Sequence, residues 1–357
     1  MDIQDLLKLY AAHPQISALS AVLKDRSLRN IFLKGLKGSG AAVAMASLFH
    51  RDRGQYVCIL NDLDAAGYFY HDLSQLAGNG GVYFFPSAYR RSIKYGHTDP
   101  ANEILRTEVL SLLQDGGKPF IVVTCPEALA EKTVSSDMLK KNTLKIHVAE
   151  KLDSMFVSDV LDEYGFEHVD YVYEPGQYAM RGSILNVFSF SYEYPFRIDF
   201  FGNEVETIRA FDVETQLSKA KLDHIHIVPR ISAYPLPDCS LLDSLPPETL
   251  VASDDLSWCK ERIGSIWNEE PVTAGEESFG DIGQMRSKLI TDECFLRKVL
   301  DFRRLHFGTR SAGTPDATLT FQMEMQPVCH KNFDLVSESF HRYLDKDYTL
   351  FILSDVE

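Results

Sequence analysis

The sequence has 357 residues, 45% of them hydrophobic, which is enough for two or three domains with cores of their own. It contains no run of roughly 18 apolar residues, and its N-terminal segment lacks the apolar core of a secretory signal, so we expect neither a membrane span nor a signal peptide. The formal net charge is −15. A chain this acidic is a poor independent binder of DNA phosphates, because that affinity depends on clustered Lys and Arg.

Cysteine and histidine spacing argues against disulfides and metal sites. The six cysteines are scattered without a C-x-x-C pair, which is typical of reduced thiols in a cytoplasm. His224 and His226 alternate along an apolar stretch and could share one strand face, but they have no partner ligands nearby in the sequence. We therefore expect a cytoplasmic protein with no metal and no other cofactor.

The N-terminal part of the chain predicts a parallel α/β sheet. Residues 1–30 have helical periodicity, and short apolar runs then alternate with longer amphipathic segments over about 130 residues. This alternation is typical of parallel α/β sheets. The predicted strands are Ile31–Leu33, Tyr56–Leu60, Val82–Phe85 and Phe120–Thr124, and the predicted helices are Gly40–His50, Asp62–Leu76 and Ala101–Leu113.

The pattern changes near residue 143 and predicts a compact α+β module. An amphipathic helix around residues 152–161 stops near Gly165. Short alternating strands follow at Arg181–Phe188, Pro195–Phe201 and Glu204–Phe211. The last two are joined across a Gly-Asn pair, which is typical of a tight hairpin. The module lies inside or beside the α/β domain.

The rest of the sequence is less regular. Glu248–Asp255 predicts a buried strand that ends in acids, and Asp292–Leu305 predicts a helix. The apolar strand Thr349–Leu353 runs into residue types that cap helices, so we expect the sequence to be a fragment of a longer protein. We predict three segments: 1–142 as the first part of the α/β domain, 143–230 as the inserted α+β domain, and 231–357 as the second part of the α/β domain.

A glycine turn follows the first predicted strand. Gly35 and Gly40 occupy the glycine positions of the P-loop pattern G-x-x-x-x-G-K-[ST], but the lysine and hydroxyl positions hold Ala41 and Ala42. In a P-loop the lysine binds the phosphates and the hydroxyl coordinates magnesium, and alanine can do neither. We therefore predict a glycine turn kept for packing. The run Leu250–Asp255 resembles a Walker B strand only weakly and also fits a strand followed by a solvated acidic turn.

The middle module carries the clearest candidate surface. Residues 143–230 hold 15 acidic and 8 basic side chains, a net charge of −7. In the strand P-F-R-I-D-F-F, alternation puts Arg197 and Phe201 together on the face opposite the apolar one. Arginine and aromatic side chains together are enriched in protein–protein hot spots. Pattern alone gives equal weight to the alternative, a scattered apolar residue beside a salt bridge within the module.

At this point the sequence resembles a known family. Glu174 to Ser218 reads EPGQYAMRGSILNVFSFSYEYPFRIDFFGNEVETIRAFDVETQLS, which is similar to the signature segment of bacterial transcription-repair coupling factors (Mfd). YFFPS at 83–87 and VVTCPEALAEK at 122–132 resemble the preceding domain of that family. The similarity covers most of residues 1–230. The chain departs from the family pattern at Ser183, Asn186 and Ser189.

The resemblance implies a fold and a function. The N-terminal third of the family is similar to UvrB: a split α/β domain with a degenerate P-loop, into which a UvrA-binding domain is inserted. The whole protein displaces stalled RNA polymerase and recruits UvrA to DNA damage, using a motor in its C-terminal half. By resemblance, the UvrA-contacting residues are Arg181, Arg197 and Phe201, and Asp254 and Asp255 lie near the lost Walker B.

We therefore expect a non-catalytic, UvrB-like module that recruits UvrA in nucleotide excision repair. RNA polymerase and double-stranded DNA would be partners only through other domains of the full-length protein. One alternative is an ATPase or helicase half-module with an atypical P-loop, which a nucleotide titration would detect. Another is a DNA-binding module, which the acidic balance disfavours.

Overall fold

The computed structural model describes residues 3–78, 80–115, 117–192, 194–229, 239–271, 282–325 and 332–351. The helices in these residues are α1 Ile3–Ala11, α2 Pro14–Lys24, α3 Gly40–Asp52, α4 Leu63–Ala77, α5 Pro100–Asp115, α6 Pro126–Ala130, α7 Ser136–Lys141, α8 Ser154–Glu163, α9 Leu241–Ser244, α10 Leu256–Asn268, α11 Ile282–Ser287, α12 Asp292–Val299 and α13 Phe333–Leu344. The strands are β1 Asn30–Lys34, β2 Gln55–Ile59, β3 Val82–Phe85, β4 Phe120–Thr124, β5 Leu144–His147, β6 Glu167–His168, β7 Gln177–Arg181, β8 Ile184–Val187, β9 Phe196–Phe201, β10 Glu204–Phe211, β11 Ser218–Leu222, β12 His224–Ile227, β13 Leu250–Ser253, β14 Arg303–His306 and β15 Ala317–Thr320.

Seven strands form one parallel sheet, which confirms the predicted α/β architecture. Their order is β15-β1-β14-β13-β2-β4-β3, and each adjacent pair runs parallel. The chain completes β1 to β4, builds a separate set of strands, and returns to the same sheet with β13, β14 and β15. Because β13 and β14 lie between β1 and β2, the later segment completes the middle of the sheet.

Two strands of the parallel sheet, β4 and β13, are buried on both faces, which explains why they are nearly continuous apolar runs. Every residue of β4 and of β13 is buried. Met45, Leu48 and Phe49 of α3 belong to the same buried cluster as these strands. Asp62 begins α4 by accepting a hydrogen bond from the Ala65 N–H at 2.8 Å, as an N-cap does.

The residues between β4 and β13 form two further sheets. β6 to β11 make a six-stranded sheet in the order β11-β10-β9-β8-β7-β6, antiparallel except between β6 and β7. β5 and β12 pair antiparallel in a two-stranded sheet. Val157 and Leu161 of α8 join Leu185, Ile198 and Ile208 of the six-stranded sheet in one buried cluster, separate from the core of the parallel sheet.

The predicted strand Arg181–Phe188 is confirmed for Ile184–Val187, which form β8, but its first residues are the end of β7 and the turn between the two strands. β7 ends at Arg181, Gly182 turns with φ +61°, and β8 begins at Ile184. A left-handed backbone conformation costs glycine little, so Gly182 was the available signal for a turn. The prediction therefore missed β7, which precedes this turn and pairs antiparallel with β8.

The predicted helix Asp292–Leu305 is wrong in its second half. α12 ends at Val299, and β14 begins at Arg303 between β1 and β13. Arg29 donates to the carbonyl oxygen of Asp301 at 2.6 Å, so groups just past the helix are satisfied from a distant part of the chain. Pairing with distant strands overrides the local helical pattern here.

The predicted strand Thr349–Leu353 lies partly outside the described residues. Its described part, residues 349–351, is not a strand. Among the described strands, β15 lies at the edge of the parallel sheet next to β1, and the sequence pattern did not predict it. Among the helices of the described residues, none is long and apolar enough to cross a membrane.

The described cysteines are all free thiols. Cys58, Cys125 and Cys259 are buried, whereas Cys239 and Cys294 are partly buried. Burial raises the pKa of the Cys58 and Cys125 thiols, which keeps them protonated and unreactive.

Candidate functional site

The outer face of the six-stranded sheet, opposite α8, carries the candidate partner-binding residues. Along β9, the side chains of Phe196, Ile198 and Phe200 are buried, whereas that of Phe201 is 79% exposed. The alternation predicted for this strand is therefore confirmed. Because its ring lies outside the core, Phe201 is available to a partner protein.

Strand register places Arg181 on the same outer face. Arg181 pairs with Ile184 of β8, and Ile184 pairs with Asp199 of β9. Directly paired residues share a face, so Arg181, Arg197 and Phe201 lie on one side of the sheet. At about 4.8 Å between strands and about 3.3 Å per residue, their Cα positions form a triangle with sides of roughly 12–13 Å. We call these three residues the outer-face triangle.

The Arg197 side chain is held within the module. Its Nε donates to Asn186 Oδ1 at 2.9 Å, and Nη1 and Nη2 donate to the backbone and side-chain oxygens of Gln216 at 3.3 and 3.2 Å. Its guanidinium carbon lies 4.5 Å from the centroid of the buried Phe211 ring. Arg197 therefore ties β8 and β9 to the turn after β10, a structural role that strand alternation did not predict.

The Arg181 side chain has a different setting. Its Nη2 donates to the carbonyl oxygen of Asp170 at 2.6 Å, and its guanidinium carbon lies 3.9 Å from the centroid of the Tyr171 ring. Tyr171 is itself 52% exposed. Sequence reasoning missed Tyr171, although the alternation Y-V-Y at 171–173, with Val172 buried between exposed rings, was an available signal.

An ion pair between Asp199 and Arg209 lies along the β9 side of the outer-face triangle. Asp199 accepts hydrogen bonds from Arg209 Nη2 and from Thr207 Oγ1, each at 2.5 Å. The salt bridge named as an alternative is thus present, but it involves Arg209 and not Arg197. Because the Asp199 carboxylate is already paired with Arg209 and Thr207, it does not compete with a partner's carboxylates for the two arginines of the triangle.

The glycine loop lies between β1 and α3, at the carboxyl edge of the parallel sheet. Gly35 has φ +92°, a conformation that favours glycine, and α3 begins at Gly40. Ala41 is partly buried and Ala42 is fully buried. This strand–turn–helix is the place where P-loops bind phosphate, with alanines in place of the lysine and the hydroxyl.

Residues that follow β15 cover this loop. The Phe321 N–H donates to the Lys34 carbonyl at 2.8 Å, and the Phe321 carbonyl oxygen occupies the space that a Cβ on Gly35 would need. A Cβ on Gly40 would lie 2.5 Å from Met323 Cε. The chain itself therefore fills the space against the two glycines. No pattern in the sequence signals this contact, because the two segments are far apart along the chain.

The two acids after β13 have structural partners. Asp255 caps α10 by accepting from the Trp258 N–H at 3.0 Å. Asp254 accepts from Asn61 Nδ2 at 2.5 Å, and its pKa is raised by burial and by the charge of Asp255. Both side chains are partly buried, so the solvated acidic turn expected here is only partly solvated.

Arg106 and Glu131 form a buried ion pair in the α/β part, with 3.0 Å between Arg106 Nη1 and Glu131 Oε2. Glu131 also accepts from the Ser87 hydroxyl at 2.5 Å and from the Ala88 N–H at 2.9 Å. Both carboxylate oxygens are engaged, so the pair anchors the segment after β3. Across the described ranges, no group of three or more His, Cys, Asp or Glu side chains could hold a metal ion.

Comparison with known proteins identifies the class of the middle module. Residues 144–232 match the family model of the UvrB interaction domain. This match spans the six-stranded sheet, the β5–β12 pair and the outer-face triangle. This part of the chain is therefore similar to UvrB interaction domains.

Similarity to whole proteins extends further along the sequence. The chain is 27% identical to the transcription-repair-coupling factor of Escherichia coli (strain K12) over 54% of this chain and 17% of that protein. It is 28% identical to the factors of Myxococcus xanthus and Bacillus subtilis (strain 168), in each case over 57% of this chain and 18% or 17% of the relative. The resemblance found in the sequence is confirmed. The chain spans less than a fifth of the length of these curated relatives.

Proposed function

We propose that this chain recruits UvrA by protein–protein contact and is not itself an enzyme. The observation that carries the proposal is the outer-face triangle of Arg181, Arg197 and Phe201 within a match to the UvrB interaction domain. The name of the relatives, transcription-repair-coupling factor, favours a role in transcription-coupled nucleotide excision repair.

The chemistry of the triangle fits a partner surface that carries carboxylates around an apolar pocket. Arginine forms charge-assisted hydrogen bonds to carboxylates, often two in parallel. Phe201 supplies a large exposed ring, and buried aromatic anchors dominate many interfaces. The module as a whole is acidic, so the basic side chains of its outer face give an acidic partner surface a local target.

The three-segment division supports this role. We propose residues 143–230 as an inserted UvrA-binding domain, with 1–142 and 231–357 as the two parts of a split α/β domain. The parallel sheet draws its strands from both outer segments. The middle segment has its own sheets and its own buried cluster, so it can present a surface without disturbing the α/β core.

The proposal assigns the glycine loop a packing role in place of nucleotide binding. The loop lacks the lysine and the hydroxyl, and Phe321 and Met323 occupy the space against Gly35 and Gly40. RNA polymerase and double-stranded DNA would be partners through other regions of a longer protein. If that longer protein acts on transcribing RNA polymerase, we expect it in the bacterial cytoplasm.

The test is a titration of the chain with purified UvrA, comparing single variants by affinity and by melting temperature. Phe201→Ala and Arg181→Ala should each weaken binding roughly 30-fold or more while the fold remains intact. Leu217→Ala is the control for Phe201, since Leu217 is 70% exposed in the same module. Lys221→Ala is the control for Arg181, because Lys221 is an exposed base whose register with Arg209 places it on the same face.

The proposal fails if the parent chain does not bind UvrA at tens of micromolar. It also fails if Phe201→Ala and Arg181→Ala bind as tightly as their controls, because the triangle would then be an ordinary solvated surface. A saturable ATP·Mg isotherm with the parent would instead favour the ATPase alternative.

A further inference from the structure

The Arg181 guanidinium retains donors for a partner. Among the described residues it makes one hydrogen bond, from Nη2 to the Asp170 carbonyl. A guanidinium has five N–H donors in a planar fork that matches a carboxylate. Arg197 by contrast uses Nε, Nη1 and Nη2 on Asn186 and Gln216. Of the two arginines in the outer-face triangle, Arg181 therefore has more N–H groups left to bind a carboxylate through two hydrogen bonds.

Tyr171 lies against the Arg181 guanidinium. The guanidinium carbon is 3.9 Å from the ring centroid, a distance at which the face of the ring attracts the cation. A guanidinium stacked on a ring has its N–H groups at the edge, pointing away from the ring. The hydrogen bond to the Asp170 carbonyl holds one end of the guanidinium. The carbonyl and the Tyr171 ring together therefore set the orientation of the guanidinium.

The Tyr171 ring is carried by an anchored segment. Val172 is 2% exposed and packs with Ala179 and Phe188 in a small cluster on the sheet. The Val169 N–H donates to the Tyr178 carbonyl at 2.9 Å, which ties the segment to β7. Because the backbone on either side of Tyr171 is anchored, less entropy is lost when the ring holds the arginine, which favours binding.

We propose that Tyr171 is a positioning residue of the UvrA-binding surface, and that its ring holds the Arg181 guanidinium for a two-point contact with a carboxylate of the partner. The inference rests on the proposed function and adds a residue to the triangle. Tyr171 acts through Arg181, so its contribution depends on the arginine being present.

A double-mutant cycle in the full chain tests this, with purified UvrA as the probe. Tyr171→Ala and Tyr171→Leu should each weaken binding roughly two- to fivefold, because both remove the π face. Tyr171→Phe should bind like the parent, since it keeps the ring. Tyr68→Ala is the control for loss of an exposed tyrosine ring: Tyr68 of α4 is 78% exposed and lies outside the middle module. In an Arg181→Ala background, Tyr171→Ala should cause no further loss.

Each failure has a separate meaning. If the parent does not bind UvrA, the proposed function and this inference fall together. If Arg181→Ala weakens binding but Tyr171→Ala and Tyr171→Leu do not, only this inference is overturned. It is also overturned if Tyr171→Ala causes the same loss with and without Arg181, because Tyr171 would then contact the partner independently. Melting temperatures of all variants exclude loss of fold as the cause.

Discussion

Met323 packs so closely on Gly40 that a Cβ on the glycine would lie 2.5 Å from the Met323 Cε atom. Gly40 is the first residue of α3, where a P-loop would present its N–H groups to phosphate. The Met323 thioether takes up the space against Gly40, and the Phe321 carbonyl group takes up the space against Gly35. The glycines of the pattern are thereby explained by packing, without reference to a ligand.

The first prediction is that restoring the missing side chains does not restore nucleotide binding. The double variant Ala41→Lys, Ala42→Ser supplies the lysine and the hydroxyl, yet Met323 still covers the loop. Neither the parent nor this variant should bind ATP·Mg at about millimolar concentrations, as followed by isothermal titration calorimetry. Micromolar binding of ATP·Mg by the parent would contradict the packing role of the loop. Binding by the double variant alone would show that Met323 does not prevent nucleotide from reaching the loop.

The second prediction compares two glycines. Gly35 has φ +92° and abuts the Phe321 carbonyl, so Gly35→Ala should lower the free energy of unfolding by about 1–3 kcal/mol. Gly67 lies inside α4, and a Cβ added there would meet nothing within 4 Å. Gly67→Ala should therefore raise the free energy of unfolding by up to about 1 kcal/mol. Urea unfolding measures both, and equal effects of the two changes would contradict this explanation.

Much of the fold was predictable because the strands of a covered parallel sheet are short, fully apolar runs. The predicted strands Val82–Phe85 and Phe120–Thr124 coincide with β3 and β4. The failure at β14 has a distant cause, because β14 pairs with strands far away in the sequence while its first residues continue a helical pattern locally. The hydrophobic periodicity of the sequence alone cannot distinguish such a strand from the continuation of a helix.

The candidate site was predictable in part for a similar reason. Alternation along β9 fixed the faces of Arg197 and Phe201, because a strand has a period of two. Alternation does not say what else reaches that face. Gln216, which binds Arg197, comes from the turn after β10, and Tyr171, which stacks on Arg181, comes from the segment before β7.

The third prediction follows from the contacts of Arg197. Arg197→Ala should lower the free energy of unfolding by about 1–3 kcal/mol, because three hydrogen bonds and the stack on Phe211 are lost. Arg197→Lys should recover little of this, since an ammonium does not reproduce the fork. The exposed Lys221 provides the control, and Lys221→Ala should change stability by less than about 0.5 kcal/mol.

These contacts matter for any binding experiment on Arg197. A loss of UvrA affinity in Arg197→Ala would mix lost contacts with a loosened turn at Gln216. Stability close to that of the parent in urea would contradict the structural role and restore Arg197 as a freely presented contact.

The fourth prediction concerns pH. His306 of β14 is fully buried beside Ser253, with 3.1 Å between its Nδ1 and the Ser253 hydroxyl. Burial lowers the pKa of His306 to about 4, and the charge of Arg304 acts in the same direction. The unfolded chain takes up a proton near its ordinary pKa of about 6.5. The stability contributed by neutral His306 is therefore complete above about pH 6.5 and is lost as pH falls toward 4, about 3 kcal/mol in all.

His306→Gln removes this titration. The stability of the parent should fall more steeply than that of His306→Gln between pH 6.5 and 4.5, as measured by urea unfolding at a series of pH values. His341→Gln is the control, because His341 is an exposed histidine of α13 and should leave the profile unchanged. Parallel profiles for the parent and His306→Gln would show that His306 is not held neutral.

The last prediction is that residues 143–230 fold when they are expressed alone. The first strand of this segment, β5, pairs antiparallel with the last, β12, so that Leu144 lies opposite Ile227 and the two ends of the segment meet. Among the described residues, the main buried cluster of the segment is drawn from its own residues, with the partly buried Ile104 of α5 packed against it, and Val228 near the end of the segment belongs to the core of the parallel sheet. A segment with joined ends and its own core has the anatomy of an inserted domain.

We expect dispersed amide resonances for the isolated segment, and only a small change in stability, below about 1 kcal/mol, for Ile104→Ala in the whole chain. An unfolded amide spectrum would show that the segment depends on the α/β part for its core, and the boundaries at 143 and 230 would then not mark a domain.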